Sequence, residues 1–312
     1  MNLKYLFFAQ GAGTNIIRIV METKQKKELK YNSTILIPTD FSETCENAII
    51  HGAELARFLN YKVSILHVID KQDEQVQQKH TAIPGSVNEK LQNYKKVYEN
   101  KYKVSIDTLV RTGNILKVIN LVATELKANL VVLGTHGKKG FQHLFGSYAL
   151  KVVLDSPCPV IVVQERSFGN GYSDIVLPVS NDVESRHAME WVRLMSRLFN
   201  STIHLYKSVE TDPAMINRLN IIVQQISKVL KAEKIPFTLD VAGKPKDFAN
   251  QVIAYGVANK SDLIMIITMP GEGLPGFNFS IWDERMMFNE AQIPVMCINP
   301  VELGQYYYDW MG

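Results

Sequence analysis

Cysteine is scarce in this chain: the three present, Cys45, Cys158 and Cys297, stand far apart and none falls in a Cys-x-x-Cys spacing. That excludes a disulfide framework and a cysteine-based zinc site, and the apolar or helical surroundings of the three make them small core residues of a protein in a reducing cytoplasm. An excess of one charge is also missing. The 34 Lys+Arg and 31 Asp+Glu leave a formal +3, too small to argue for nucleic acid as a partner. No apolar run approaches the roughly 20 residues of a membrane span, so no membrane partner is expected. Tyr5-Leu6-Phe7-Phe8-Ala9 is short for a signal peptide. Also lacking are a Gly-x-x-x-x-Gly-Lys-Ser/Thr loop, a nucleophile elbow and a pair of catalytic carboxylates, which ranks an enzyme behind a binding protein.

What is present is the composition of a globular protein, 46% hydrophobic and 21% charged, in 312 residues, enough for two domains of ordinary size. Residues 1–31 read as an extension outside the pattern that follows. Gly11-Ala12-Gly13 begins a dinucleotide fingerprint, but Ile16 stands where the third glycine belongs and no acidic residue follows at the right distance. Met21 serves equally well as a start, with the first 20 residues a gene-calling artefact.

From Thr34 onward the chain alternates strands and helices. Thr34-Ile35-Leu36-Ile37-Pro38 predicts a strand with Asp40 at its carboxyl end, where Asp40, with Glu43 three residues on, is placed to cap the next helix. Ala48, Leu55, Ala56 and Leu59 recur at helical spacing as far as Asn60, and Val63 to Ile69 predicts a second strand. After an excursion over residues 71–87, the pattern predicts a helix over 87–98, a strand over 104–110, a helix over 115–126 and strands over 130–133 and 159–163. Five strands alternating with helices imply a doubly wound parallel sheet, in which ligands sit beyond the carboxyl ends of the strands.

The stretch Gly134-Thr135-His136-Gly137-Lys138-Lys139-Gly140, followed by Gly146-Ser147, lies at that edge, between the strand Leu130-Val131-Val132-Leu133 and the helix carrying Ala149 to Leu154. Main-chain N–H groups and a helix N-terminus at such a junction suit a phosphate, and glycines let it approach. The plainer reading makes the glycines turn formers in a long loop. His136 and His143 fit loop solvation better than metal ligation, because no third ligand is evident, and Lys138 and Lys139 fit a solvated face that also steers anions.

A second copy of the pattern follows a turn-rich linker, residues 167–173. Ile175-Val176-Leu177-Pro178 repeats Ile35-Leu36-Ile37-Pro38, and Ala188 and Asn200 answer Ala48 and Asn60, each 140 residues on. His204 is matched to His67, which gives His67 a structural role. The site does not repeat. Ser180 answers Asp40, Ile267, Thr268, Met269 and Pro270 answer Gly134 to Gly137, and Glu272 adds a carboxylate. The second unit is therefore expected to bind no nucleotide in the first unit's manner. The end of the chain, Tyr306-Tyr307-Tyr308-Asp309-Trp310, is an aromatic tail expected to dock on its own domain or across a dimer seam.

With these residues in view, the chain resembles the universal stress protein family in its tandem two-domain form. The resemblance rests on Ile35-Leu36-Ile37-Pro38-Thr39-Asp40-Phe41-Ser42-Glu43, on Leu66-His67-Val68, and on Gly134-Thr135-His136-Gly137 with Gly146-Ser147; it covers residues 33–165 strongly and 174–300 more weakly. It implies two tandem α/β domains, each a Rossmann-like five-stranded parallel sheet flanked by helices: a first domain over 32–166 that binds ATP or a related adenine nucleotide, with or without Mg²⁺, and a degenerate second domain over 174–300, before the tail at 301–312. Carried over residue by residue, the resemblance implies that Asp40 holds the ribose, that Pro38 and Val68 border the adenine, that Gly134 and Gly137 bracket ribose and phosphates, and that Gly146 and Ser147 bind phosphate oxygens. The arm Lys138 to Phe145 between Gly137 and Gly146 is one residue shorter than the family's nucleotide pattern.

Three functions follow for comparison. The first is a cytoplasmic nucleotide-sensing stress protein whose ligand alters contacts with an unknown protein partner. The second is a ligand-free scaffold in which both domains serve assembly. The third, an enzyme related in architecture to ATP pyrophosphatases, nucleotidyl transferases or electron-transfer flavoproteins, reduces to slow ATP hydrolysis. Edges such as Pro159 to Val163 and Pro294 to Ile298 are expected to pair the two copies as a pseudo-dimer, with two chains associating further as a homo-oligomer.

Overall fold

A computed structural model describes residues 33–69, 84–135, 146–181, 188–268 and 281–299. The first half runs β1 (Thr34–Pro38), α1 (Glu43–Leu59), β2 (Lys62–Ile69), α2 (Pro84–Tyr102), β3 (Ile106–Thr112), α3 (Ile115–Glu125), β4 (Leu130–Gly134), α4 (Gly146–Leu154) and β5 (Val160–Val163). The second runs β6 (Asp174–Val179), α5 (Met189–Phe199), β7 (Thr202–Lys207), α6 (Pro213–Ala232), β8 (Phe237–Val241), α7 (Phe248–Ala258), β9 (Leu263–Ile267), α8 (Ile281–Met287) and β10 (Val295–Ile298).

β1, β4, β5, β9 and β10 are buried along their whole length. Such continuous apolar runs are what a parallel strand needs when helices cover both faces, since neither set of alternate side chains meets water. Alternation then divides the core. Ile35, Ile37, Val63 and Ile65 join one cluster with Ala48 and Ile49 of α1 and Leu91 and Tyr98 of α2; α5 and α6 continue that layer. Leu36, Leu66, Val131 and Leu133 join the other with Ile119 and Val122 of α3 and Ala149 and Val153 of α4; α7 and α8 continue it.

The strands form one sheet of ten in the order β3-β2-β1-β4-β5-β10-β9-β6-β7-β8. Within each half all neighbours are parallel, the doubly wound arrangement expected. Where the halves meet, β5 and β10 pair antiparallel, with Val162 opposite Val295 and Val160 opposite Cys297. Gln164 and Asn299 extend the seam: the Gln164 amide donates to the Asn289 carbonyl and the Asn299 amide to that of Leu154.

Several local expectations need correction. Asp40 does not cap α1. Phe41 takes a left-handed φ of 66°, so the helix begins two residues later than Asp40 allows, and Ser42 is the cap, accepting from the Cys45 N–H. The third strand is displaced from 104–110 to Ile106–Thr112 because Lys103 turns out of α2 with φ 58° and Glu99 accepts from the Ile106 N–H. His204 is not the counterpart of His67. Pro38 lies opposite Leu66 and Pro178 opposite Tyr206, so His67 corresponds to Lys207 and His204 to Ser64. Asn60 and Asn200 do correspond: both are left-handed C-caps, a conformation asparagine tolerates well.

The segment between the halves reads as a turn-rich linker, yet Phe168 and Tyr172 are buried. Phe168 packs its ring against His51, Phe58, Tyr172 and Phe199. The main chain just before Phe168 is held as well: Asn47 donates to the carbonyls of Gln164 and Arg166, and His51 Nε2 lies 2.8 Å from the Arg166 carbonyl.

Candidate functional site

The strand order 3-2-1-4-5 reverses direction between β1 and β4, so the crevice of this sheet opens where their carboxyl ends diverge. Pro38 ends β1 and Gly134 ends β4, and Val68 lies near the end of β2. Pro38 shares the face of Leu36, and Val68 packs on the cluster of Leu36 and Leu66, so both lie on the side covered by α3 and α4. α4 begins at Gly146-Ser147 on that side, and its first N–H groups have no partner within the helix.

Asp40 stands just beyond β1. Its Oδ1 accepts from the Ser42 N–H at 2.9 Å, and Thr39 Oγ1 accepts from Phe41 at 3.0 Å, two short-range bonds that stiffen the turn. On the α1 and α2 side, the Phe41 ring lies 4.7 Å from His67 and 5.8 Å from Tyr94, with the Lys90 ammonium 5.2 Å from its centroid. His67 Nδ1 lies 2.9 Å from the Thr39 carbonyl, which only accepts, so Nδ1 carries the proton and donates. Burial lowers the His67 pKa, opposed by that bond and by Asp40. The neutral ring thus ties β2 to the turn, a structural role reached from geometry and not from a counterpart in the second half.

Gly134 faces α1. A Cβ there would stand 2.7 Å from the Thr44 carbonyl oxygen, so close packing of the helix on β4 already requires glycine. Its presence is therefore not independent support for a ligand. Cys45, next to this contact, is a buried thiol whose pKa rises to about 12, first through burial and then through the charge of Asp40.

The fold thus brings Pro38, Asp40, Val68 and Gly134 to one edge and places Gly146 and Ser147 at the start of the helix behind it. Gly137, His136, His143, Lys138 and Lys139 lie outside the described residues, as does the tail from Tyr306 to Trp310. Among the described residues no three His, Cys, Asp or Glu side chains are grouped to hold a metal ion, and no helix is long and apolar enough to cross a membrane. A cleft of about 290 Å³ does open near the edge, lined by Glu43, Thr44, Asn47 and Glu165. Its two carboxylates, Glu43 and Glu165, oppose an anion.

Thr135 is a functional candidate that the sequence does not single out. It is 1% exposed, and its hydroxyl has no hydrogen-bond partner. Read within the glycine run it looks like loop; the signal was its place one step past a buried strand, where alternation turns it to the face of Leu133. In the second half, Ser180 stands in the place of Asp40 and is buried, and buried Ile267 stands in the place of Gly134.

Comparison with known proteins adds the lineage. Residues 32–164 match the universal stress protein family model. A universal stress protein of Methanocaldococcus jannaschii is 30% identical over 139 residues, covering 42% of this chain and 81% of the relative. Universal stress protein G of Salmonella typhimurium is 31% identical over 140 residues, covering 42% and 98%. A universal stress protein structure from Archaeoglobus fulgidus, at 14% identity, superposes with a TM-score of 0.66 over 86% of this chain and 98% of its own length, so the fold extends over both halves. The chain belongs to the universal stress protein family.

Proposed function

We propose that the first half, residues 32–166, binds an adenine nucleotide, ATP by family resemblance, and that residues 174–300 carry no equivalent site. The observation that supports this reading is the convergence of Pro38, Asp40 and Val68 at the carboxyl edge beside the start of α4, against Ser180 and Ile267 in the corresponding places of the second half. The chemistry of the set fits the ligand. A carboxylate suits ribose hydroxyls, the apolar Pro38 and Val68 suit the edge of a base, and the N–H groups opening α4 suit phosphate, with Gly134, Gly137, Gly146 and Ser147 around it and Mg²⁺ accompanying the phosphates or absent. In this reading the ligand acts as a signal and the protein turns it over slowly or not at all.

The direct experiment is mass spectrometry of small molecules released from the purified protein, joined to calorimetric titration with ATP and Mg²⁺. Binding that Asp40→Ala abolishes and Ser180→Ala leaves intact supports the reading; absence of any adenine nucleotide by both methods overturns it.

A second reading is favoured by the seam. Pairing of β5 with β10 joins both halves into one sheet without any ligand, as a pseudo-dimer within one chain does. On that reading the protein is a cytoplasmic scaffold for homo-oligomers or a protein partner, and a flat thermal shift with ATP and Mg²⁺ beside a defined oligomer in light scattering favours it.

A further inference from the structure

Among the described residues, five buried side-chain atoms have no hydrogen-bond partner: Ser64 Oγ, Asn120 Oδ1, Thr135 Oγ1, Asn181 Oδ1 and Ser261 Oγ. Four of these lie away from the carboxyl edge of the first half. Ser64 is inside β2, Asn120 is inside α3, and Asn181 and Ser261 belong to the second half. Thr135 is at the carboxyl edge of the first half. A hydroxyl withheld from both water and protein is costly, so a fold that keeps one at a crevice is poised to satisfy it with something that enters.

The second half shows what the hydroxyl does where no ligand site remains. Thr135 and Thr268 are pinned alike, the first donating its N–H to the Val163 carbonyl and the second to that of Ile298, both at 2.9 Å. Thr268 then turns its hydroxyl onto the Ile298 carbonyl at 3.4 Å. Thr135 makes no such bond, although an equivalent carbonyl is bound to its own N–H. The same residue type on the same scaffold thus satisfies itself in one half and waits in the other.

Two features give the direction. Alternation along β4 puts Thr135 on the face of Val131 and Leu133, which pack with Ala149, Val152 and Val153 of α4. The α4 N-terminus, whose first main-chain donors have no partner within the helix and which carries the positive end of its dipole, lies on that face at Gly146. A hydroxyl donor and a helix N-terminus on one side of a strand end match an anionic oxygen.

We infer that the Thr135 hydroxyl donates to a phosphate oxygen of the bound nucleotide, acting with the start of α4; this rests on the nucleotide reading above. The test is titration of wild type, Thr135→Val and Thr135→Ser with ATP and, separately, with adenosine, alongside urea unfolding of the ligand-free proteins. The expected result is an ATP affinity lowered at least about tenfold in Thr135→Val and retained within about threefold in Thr135→Ser, with adenosine affinity unchanged and the ligand-free stability of Thr135→Val equal to or above that of wild type. Wild-type ATP affinity in Thr135→Val overturns the inference while leaving the nucleotide reading standing. An equal loss for adenosine overturns the phosphate contact, and a marked loss of ligand-free stability makes the hydroxyl structural. If wild type itself binds no adenine nucleotide, both readings fall.

Discussion

Gly134 lies against the main chain of Thr44 and Cys45 with no room for a methyl group: a carbon added there would stand 2.7 Å from the Thr44 oxygen and 2.9 Å from the Cys45 Cα. The obstacle is main chain, which no rotamer change relieves. Gly134→Ala should therefore cost about 1–3 kcal/mol, in the range of overpacking a tight core. Gly243→Ala, where the nearest atom is Gln251 Oε1 at 3.6 Å, should leave stability within about 0.5 kcal/mol. Urea unfolding of both variants checks the contrast, and an unchanged midpoint for Gly134→Ala would refute the packing argument.

Phe168 should behave as a core residue despite its place between the halves. It is 6% exposed, among rings drawn from α1, α5 and Tyr172. Phe168→Ala should lower stability by about 3–5 kcal/mol, as buried phenylalanine truncations do, against almost nothing for a free linker. Denaturant titration separates the two outcomes.

His51 links that cluster to pH. It is buried, with Nε2 on the Arg166 carbonyl, and its pKa falls to about 4 from an ordinary value near 6.5, chiefly through burial. Because the folded protein holds the ring neutral, the unfolded chain binds the extra proton between those values. The contribution to stability is full above about 6.5, declines as pH falls toward 4, and changes no further below, a total on the order of 3 kcal/mol. Unfolding free energies across pH 4 to 8 should show this slope for wild type, and His51→Gln should flatten it.

Thiol labelling offers a simple check on burial. Cys45, Cys158 and Cys297 are all buried, and the Cys45 pKa is pushed up to about 12. A thiol-specific reagent at pH 8 should label none of the three in the native protein and all three in denaturant. Rapid native labelling of Cys45 would mean that the first turn of α1 opens.

Much of the architecture is written locally. A run such as Leu130-Val131-Val132-Leu133 is apolar on both sides because both sides are covered, and the asparagines at 60 and 200 mark helix ends by their own tolerance of a left-handed turn. Relations between distant segments are not written that way. Matching His204 to His67 relied on spacing, whereas the true register depends on which main-chain groups meet across β1 and β2, and His204 proves to be held by Asp174 and Thr238. The cap falls on Ser42 and not on Asp40 for a similar reason: the left-handed Phe41 that delays the helix packs its ring 4.7 Å from that of His67 on a different strand. Phe168 and Tyr172 sit among glycines and polar residues, so no periodicity announces their burial. Thr135 is legible only when the second half supplies its satisfied twin.

The antiparallel seam between β5 and β10 has a directional result. Every strand of the first half runs opposite to every strand of the second, so their carboxyl ends emerge at opposite rims of the one sheet. Pro38 and Asp40 therefore lie at one rim and Ser180 at the other, so a ligand bound beside the first pair would sit across the sheet from the second. The two rims are joined by two routes, the seam across Val162 and Ile161 and the ring cluster of Phe58, Phe168 and Phe199 that ties α1 to α5.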